Sequence, residues 1–225
     1  MSDLSSVQRR GFVKTVAAGA AALIAGKAAI AGAESSRRID SNSPASDEWV
    51  KRIHGKHRQV VDITLPNSGF APVFALNFID SYKSMGVPES ELTSVLSYRH
   101  FAMPLLLNDS VWAKYPIAEI IGVTDPKTGA PAKRNIFRDS ILLHPGLTYE
   151  QILAGQATKA TIIVTACGVA LNALSGMTAG KIGANAAAVK ADWIAGLIPG
   201  VVLVPSGVYA ISRAQESGCT YCFGG

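Results

Sequence analysis

Residues 157–176, ATKATIIVTACGVALNALSG, pass from one kind of secondary structure to another at a single cysteine. Residues 160–166 form a continuous run of mostly apolar and β-branched side chains that predicts a buried strand, and the chain from Val169 onward has the pattern of a helix. A strand that is apolar on both faces is typical of a parallel sheet. The stretch therefore predicts an α/β domain with Cys167 at a strand–helix junction.

The same alternation of strand and helix recurs along the chain. It indicates a three-layer α/β sandwich with a mainly parallel sheet covered by helices on both faces. The predicted strands are 58–65, 92–100, 160–166 and 200–205, and the predicted helices are 70–85, 103–115, 169 onward with a break near Gly183, and 208–216.

Residues 117–145 interrupt this alternation. They contain DPKTGAP, a strong turn signal, between two stretches with apolar residues. We expect an inserted hairpin or lid that pairs 117–123 with 135–143, followed by a short helix over 148–157 that leads back to the sheet.

The position of Cys167 suggests chemistry. A cysteine at the start of a helix lies beside backbone N–H groups that have no partner within that helix, and the helix dipole adds partial positive charge. Both effects favour the thiolate, and Gly168 is expected to leave room for a substrate or a partner sulfur. A buried cysteine that only fills space fits the same pattern.

Ligands of open parallel sheets bind outside the carboxyl ends of the strands. We expect His100 there as a base, a thiolate stabiliser or an anion ligand, and Arg99 as an anion contact. Asn67 and Ser68 begin a turn whose backbone donors suit an anion, and Ser206 starts the last helix. A structural histidine, a solvated arginine and an ordinary helix cap remain alternatives for these positions.

The chain closes with ESGCTYCFGG, which holds Cys219 and Cys222 in a C-x-x-C pair. Three interpretations stay open: an exchangeable disulfide, a static local disulfide, and a metal site shared between subunits or completed by histidine. A mobile tail over 219–225 would bring one of these thiols to Cys167, so we include both among the candidate catalytic residues. The two histidines of HGKH, residues 54–57, have a metal-binding spacing, although a solvated basic patch is the favoured interpretation.

The N-terminal region has the features of an export signal. Residues 1–33 combine Arg9-Arg10, a mildly apolar Ala/Gly-rich stretch and the small residues Ala31-Gly32-Ala33, which together predict a twin-arginine signal peptide. We therefore expect a periplasmic protein with no stable membrane span after cleavage. A flexible linker over 34–48, a domain over 49–218 and the tail over 219–225 would follow. The net charge is +5, but no basic stripe with interleaved aromatics is present, so no nucleic-acid partner is expected.

Two stretches resemble the DsrE/DsrF family. They are ATIIVTACGVALNAL at 160–174 and GVVLVPSGVYAISRAQESG at 200–218, and the similarity extends over about 59–218 with 117–145 as an addition. The resemblance implies a compact α/β fold that assembles as trimers or hexamers and handles sulfur. It also implies that Cys167 occupies a recurring cysteine position, which carries a persulfide in the sulfur-relay members.

These observations predict an exported sulfur-transfer or thiol-redox protein that uses Cys167. One alternative is a non-catalytic oligomeric protein of the same fold that binds a small anion or a partner. Another is a metal or redox-cofactor subunit, since the twin-arginine route exports folded proteins. No resident cofactor is expected beyond a persulfide, and metal at the C-x-x-C pair stays open. The expected partners are further copies of the chain and a sulfur donor or acceptor protein.

Overall fold

A computed structural model describes residues 47–138, 147–153 and 158–225, without the side chains of Tyr149 and Leu153. The predicted signal peptide and most of the predicted linker lie outside the described residues. The same holds for 139–146, which include part of the expected hairpin, and for 154–157. Within the described ranges, no helix is both long enough and apolar enough to cross a membrane.

Within these residues, five strands form one parallel sheet in the order β4-β3-β2-β1-β5. The central strand β2 is buried along its whole length, as expected for a parallel sheet covered on both faces. The predicted α/β class is confirmed, with each of the four predicted strands present. The strands are β1 His57–Ile63, β2 Leu92–Tyr98, β3 Thr161–Cys167, β4 Val202–Val204 and β5 Thr220–Phe223.

Helices connect the strands and cover the sheet. The predicted break near Gly183 is confirmed, because that residue ends one helix with a φ of +66° and Asn185 caps the next. The α-helices are α1 Ala71–Ser84, α2 Asp109–Lys114, α3 Ile117–Ile121, α4 Tyr149–Leu153, α5 Gly168–Ile182, α6 Ala186–Ala195 and α7 Gly207–Glu216. Short 3₁₀ helices lie at Val50–Arg52, Asn67–Gly69, Glu89–Glu91, His100–Leu106 and Ile136–Arg138.

Two apolar layers hold the helices to the sheet. Alternate residues of each strand face opposite sides, so Val61 and Val164 belong to the larger cluster while Val60 and Ile163 belong to the smaller one. The larger cluster lies between the sheet and α1, α5 and α6. The smaller cluster lies between the sheet and α7, which contacts β1 to β4. This arrangement is a three-layer sandwich.

The last strand differs from the expectation of a mobile tail. Residues 220–223 pair with β1, with Tyr221 opposite Val60 and Cys222 opposite Val61. Helix α7 carries the chain from β4 at one edge of the sheet to the other edge, where β5 adds to β1. The segment 219–225 is therefore part of the domain, and its conformation depends on contacts with a strand about 160 residues earlier in the sequence.

The segment 117–138 begins with a short helix where a hairpin strand was expected. Ile117–Ile121 forms α3, and the only antiparallel bridge within the described part of the segment joins Thr124 to Pro131. Asn135 is 1% exposed, and its side-chain amide donates to the carbonyls of Leu105 and Leu107, each at 2.8 Å. These bonds fasten the segment to the domain, so the hairpin expectation is wrong for the described residues.

The predicted helix 103–115 is divided in two. A 3₁₀ helix runs over His100–Leu106, and α2 begins after Asn108, whose side chain accepts a hydrogen bond from the Val111 amide at 3.1 Å. Pro104 lies within the first piece, where it cannot donate a backbone hydrogen bond. The N-cap at Asn108 then starts a new helix.

Candidate functional site

The carboxyl ends of β2 and β3 bring two of the predicted site residues together. Tyr98 pairs with Ala166 in the parallel ladder, so the residues that follow them, Arg99 and Cys167, lie side by side where the strands end. The Arg99 amide donates to the Ile63 carbonyl at 2.9 Å, which continues the ladder toward β1. The edge of the sheet that was predicted to carry the site therefore places a cation next to the thiol.

Cys167 is the N-cap of α5. Its Sγ accepts a hydrogen bond from the Ala170 amide at 3.3 Å, one of the N–H groups that have no partner within the helix. The residue is 5% exposed and contacts the larger apolar cluster. The junction is thus confirmed, and the sulfur combines a polar contact at a helix N-terminus with little direct access to solvent.

Arg99 is fixed by a buried carboxylate. Its Nε lies 2.6 Å from Asp62 Oδ1 and its second terminal nitrogen lies 2.8 Å from Oδ2, while the Tyr221 hydroxyl donates to Oδ2 at 2.9 Å. Asp62 is 2% exposed, so the bidentate pair neutralises a charge that would be costly to leave alone. Because three donors hold this carboxylate, the direction of the Arg99 side chain is fixed.

The charge of Arg99 interacts with both Asp62 and Cys167. The hydrogen bond to Asp62 raises the pKa of Arg99, burial opposes the shift, and the charges of Asp62, Tyr221 and Cys167 raise it further. The hydrogen bond to Asp62 also raises the pKa of Tyr221, and burial adds to that shift. The guanidinium thus stays charged and lies within electrostatic reach of Cys167.

The start of α7 completes the same edge. A Cβ placed on Gly207 would lie 2.7 Å from the Cβ of Arg99, so only glycine lets the arginine stem pass. Ser206, a predicted substrate contact, caps α7 by accepting from the Tyr209 amide at 3.2 Å. The N-terminus of α7 therefore lies against the Arg99 side chain.

Gly168 does not leave an open approach to the thiol. A Cβ at this position would lie 2.8 Å from the Val204 carbonyl oxygen and 3.1 Å from that of Pro205. The space beside Gly168 is filled by the end of β4, so the glycine permits close packing of the chain. The expectation of room for a substrate at this residue is wrong.

The remaining residues predicted at the carboxyl ends of the strands are Asn67, Ser68 and His100, and no hydrogen bond between them and Cys167 is observed in the described residues. The Asn67 side chain donates to the Gly224 carbonyl at 3.0 Å, and the amides of Gly69 and Phe70 donate to carbonyls of the same turn. These three donors are engaged within the protein, and the anion contact expected of Asn67 and Ser68 stays a prediction. Ser68 and His100 are exposed and have positive φ angles of 51° and 49°.

The C-x-x-C pair is not arranged as a redox pair. Cys219 packs in the smaller apolar cluster and Cys222 against the larger one, on the other side of the sheet, and both are free thiols. Three residues of extended backbone span ~10 Å, beyond the ~7 Å between Cα atoms that a disulfide allows. Burial raises the pKa of Cys219 to about 11, against the opposing charge of Arg58, and burial raises the pKa of Cys222. This conformation supports neither an exchanging pair nor joint metal binding.

The two histidines of residues 54–57 make separate contacts, one just before β1 and one at its first position. His57 stacks on Tyr82 with ring centroids 4.1 Å apart, while His54 Nε2 lies 2.8 Å from Thr161 Oγ1. Across the described ranges, no group of three or more His, Cys, Asp or Glu residues is arranged to hold a metal ion.

Sequence reasoning missed Asp62 and Tyr221, and it gave Gly207 no role. Asp62 carried a usable signal, because a single acid inside the apolar run RQVVDITL requires a cationic partner if the strand is buried. Comparison with known proteins finds no matching family model and no matching curated protein. The geometry of the site is therefore the main support for any functional conclusion.

Proposed function

We propose that this protein is a sulfur-transfer or thiol-redox protein in which Cys167 carries the sulfur. The observation that supports this most directly is the hydrogen bond from the Ala170 amide to Cys167 Sγ at the start of a 15-residue helix. The N-terminus of α5 favours negative charge on this sulfur, and the Arg99 guanidinium lies within electrostatic reach of it while paired with Asp62. The resemblance to the DsrE/DsrF family, export to the periplasm by the twin-arginine route and assembly as a trimer or hexamer belong to the same proposal.

The proposed step is a displacement at a sulfane sulfur. The Cys167 thiolate attacks the outer sulfur of thiosulfate or of a donor persulfide, forms a new S–S bond, and releases sulfite or the donor thiolate. An acceptor thiolate then attacks the outer sulfur of the Cys167 persulfide and releases the Cys167 thiolate. Arg99 has the role of stabilising the negative charge on the attacking and leaving sulfur atoms.

The burial of Cys167 bears on the substrate. With 5% of the residue exposed, a small donor that presents one sulfur atom is a better fit than a bulky group. Thiosulfate and low-molecular-weight persulfides meet this condition. Their negative charge suits the Arg99 guanidinium, of which 21% of the side-chain surface is exposed.

Intact-mass spectrometry tests the proposal on a variant whose only thiol is Cys167, made by Cys219→Ser and Cys222→Ser. Treatment with thiosulfate or polysulfide is expected to add one sulfur atom, and later addition of a small thiol is expected to remove it. The matched control adds Cys167→Ser. Absence of the adduct from the folded single-thiol protein, or equal labelling of the control, would refute the sulfur-carrying role.

A second candidate function is a non-catalytic binding protein of the same fold. It is favoured by the contact of Cys167 with the larger apolar cluster and by its small exposed fraction. Under this alternative Cys167 fills space, and Cys167→Ala leaves ligand or partner binding unchanged. The reactivity of the thiol distinguishes the two candidates.

A further inference from the structure

A cationic cavity lies at the amino-terminal ends of the strands, whereas Cys167 lies at their carboxyl ends. Its volume is about 340 Å³, and it is located where the chain enters β1 and β3. Its lining residues include two basic side chains and a hydroxyl but no carboxylate: Arg52, His54, Ala160, Thr161 and Ile162.

The backbone that carries His54 is held in place on two sides. The His54 amide donates to Thr93 Oγ1 at 3.3 Å, and the Thr93 hydroxyl donates to the His54 carbonyl at 2.7 Å. Gly55 follows with a φ of +83°, and a Cβ there would lie 2.4 Å from the Glu91 carbonyl carbon. Because Thr93 is fully buried, this turn is anchored to the sheet and the imidazole extends from a fixed point.

The polar groups of the cavity retain free donor capacity. His54 Nε2 lies 2.8 Å from Thr161 Oγ1, and when the ring nitrogen donates, the threonine hydroxyl keeps its hydrogen for another acceptor. Arg52 makes one long bond, 3.5 Å, to the Ile162 carbonyl. Among the described residues no carboxylate pairs with Arg52, so most of the guanidinium fork is available.

Two neighbouring acids are engaged elsewhere. Glu48 pairs with Lys51 at 2.6 Å, and Glu89 pairs with Lys83 at 2.8 Å and accepts from the Thr158 hydroxyl. The hydrogen bond to Lys83 is the main cause that lowers the pKa of Glu89, so this carboxylate stays charged and paired. The basic groups of the cavity are therefore not neutralised by these acids.

We propose that this cavity binds a small tetrahedral oxyanion of the phosphate, sulfate or thiosulfate class. A guanidinium fork on one side and an imidazole with a hydroxyl on the other can donate to several oxygens of one such ion. This inference does not depend on Cys167 and stands separately from the sulfur-transfer proposal.

Inorganic phosphate at constant ionic strength is the probe, followed by NMR of the uniformly ¹⁵N-labelled full chain. We expect saturable amide shifts at residues 52–54 and 160–162. Arg52→Gln is expected to weaken binding at least about tenfold, because a charge-assisted hydrogen bond is lost. Lys51→Gln removes the same charge one residue away from a side chain paired with Glu48, and it is expected to change affinity less than about twofold.

Shifts that rise linearly without saturation would overturn the proposal, as would equal weakening by Lys51→Gln and Arg52→Gln. Circular dichroism checks that each variant is folded. If Arg52→Gln is unfolded, Arg52→Lys replaces it, since it keeps the charge and removes the fork. A loss of affinity in that variant supports the site, and unchanged affinity contradicts it.

Discussion

Replacing Asp62 by Asn tests whether the buried carboxylate of Asp62 holds Arg99 and Tyr221 in place at the carboxyl ends of the strands. The substitution removes the negative charge that Arg99 contacts at 2.6 and 2.8 Å, and it weakens the acceptor of the Tyr221 hydroxyl. Removing one partner of a buried ion pair costs about 3–5 kcal/mol, and Arg99 is 21% exposed, so we expect a loss of about 2–4 kcal/mol. Urea denaturation followed by circular dichroism measures the free energy of unfolding.

A double-mutant cycle with Arg99→Gln isolates the pair from other effects of each change. We expect a coupling energy of about 1.5–3 kcal/mol, because each single variant leaves the other partner without its charge. The exposed pair of Lys51 and Glu48 is the matched control, and its cycle is expected to give less than about 1 kcal/mol. A loss below about 1 kcal/mol for Asp62→Asn, or additivity in the first cycle, would refute the reasoning.

Three further predictions concern packing and titration. Gly207→Ala would place a Cβ 2.7 Å from that of Arg99, so we expect a loss of about 1–3 kcal/mol, measured by urea denaturation and contradicted by an unchanged midpoint. Asn135→Ala leaves two buried carbonyls without a donor and is expected to cost about 2–4 kcal/mol, whereas Asn185→Ala, which removes an exposed helix cap, is expected to cost about 1 kcal/mol. The pKa of Cys219 is raised from 9.0 to about 11 in the folded protein, so above pH 9 the unfolded chain loses this proton first and stability falls as the pH rises to 11. Cys219→Ala should flatten that part of the stability profile in urea titrations, and an unchanged slope would show that another group is responsible.

The strands of the central sheet could be predicted because burial on both faces leaves a direct trace in the sequence. A run such as TIIVTA has no polar face, which excludes a half-exposed strand and indicates a parallel sheet. The position of Cys167 followed from the same run, since the strand ends where the helix pattern begins.

The short helix expected over 148–157 is present at Tyr149–Leu153, but the fifth strand and the short helix α3 could not be predicted in the same way. Residues 220–223 form a strand because β1 offers an open edge, and that edge is apparent only once the order of the strands is known. A helix as short as Ile117–Ile121 has little intrinsic stability, and it is held by the burial of Ile117 and Ala118. The turn predicted from DPKTGAP is present after this helix, but a turn signal does not determine whether the flanking segments are strands or helices.

The location of the candidate site at the carboxyl ends of the strands was predicted, but only some of the residues that form it were. Arg99 and Cys167 were identified because each lies at the carboxyl end of a predicted strand. The triad of Asp62, Arg99 and Tyr221 requires the register of three strands, and Tyr221 comes from the strand that was not predicted. Gly207 is required because the Arg99 side chain packs against its Cα, and no local sequence pattern predicts this long-range contact.

The most direct test compares two thiols of equal exposure. Cys167 and Cys219 are 5% and 6% exposed, but only Cys167 accepts a hydrogen bond from a backbone amide at a helix N-terminus. Iodoacetamide labelling at pH 7 is measured on single-thiol variants that keep one or the other. With a pKa of about 11, Cys219 is about one part in ten thousand thiolate, whereas a free thiol is a few per cent. We predict that Cys167 reacts at least about a hundred times faster than Cys219. Equal, slow labelling of the two folded variants would contradict a reactive thiol at the carboxyl edge.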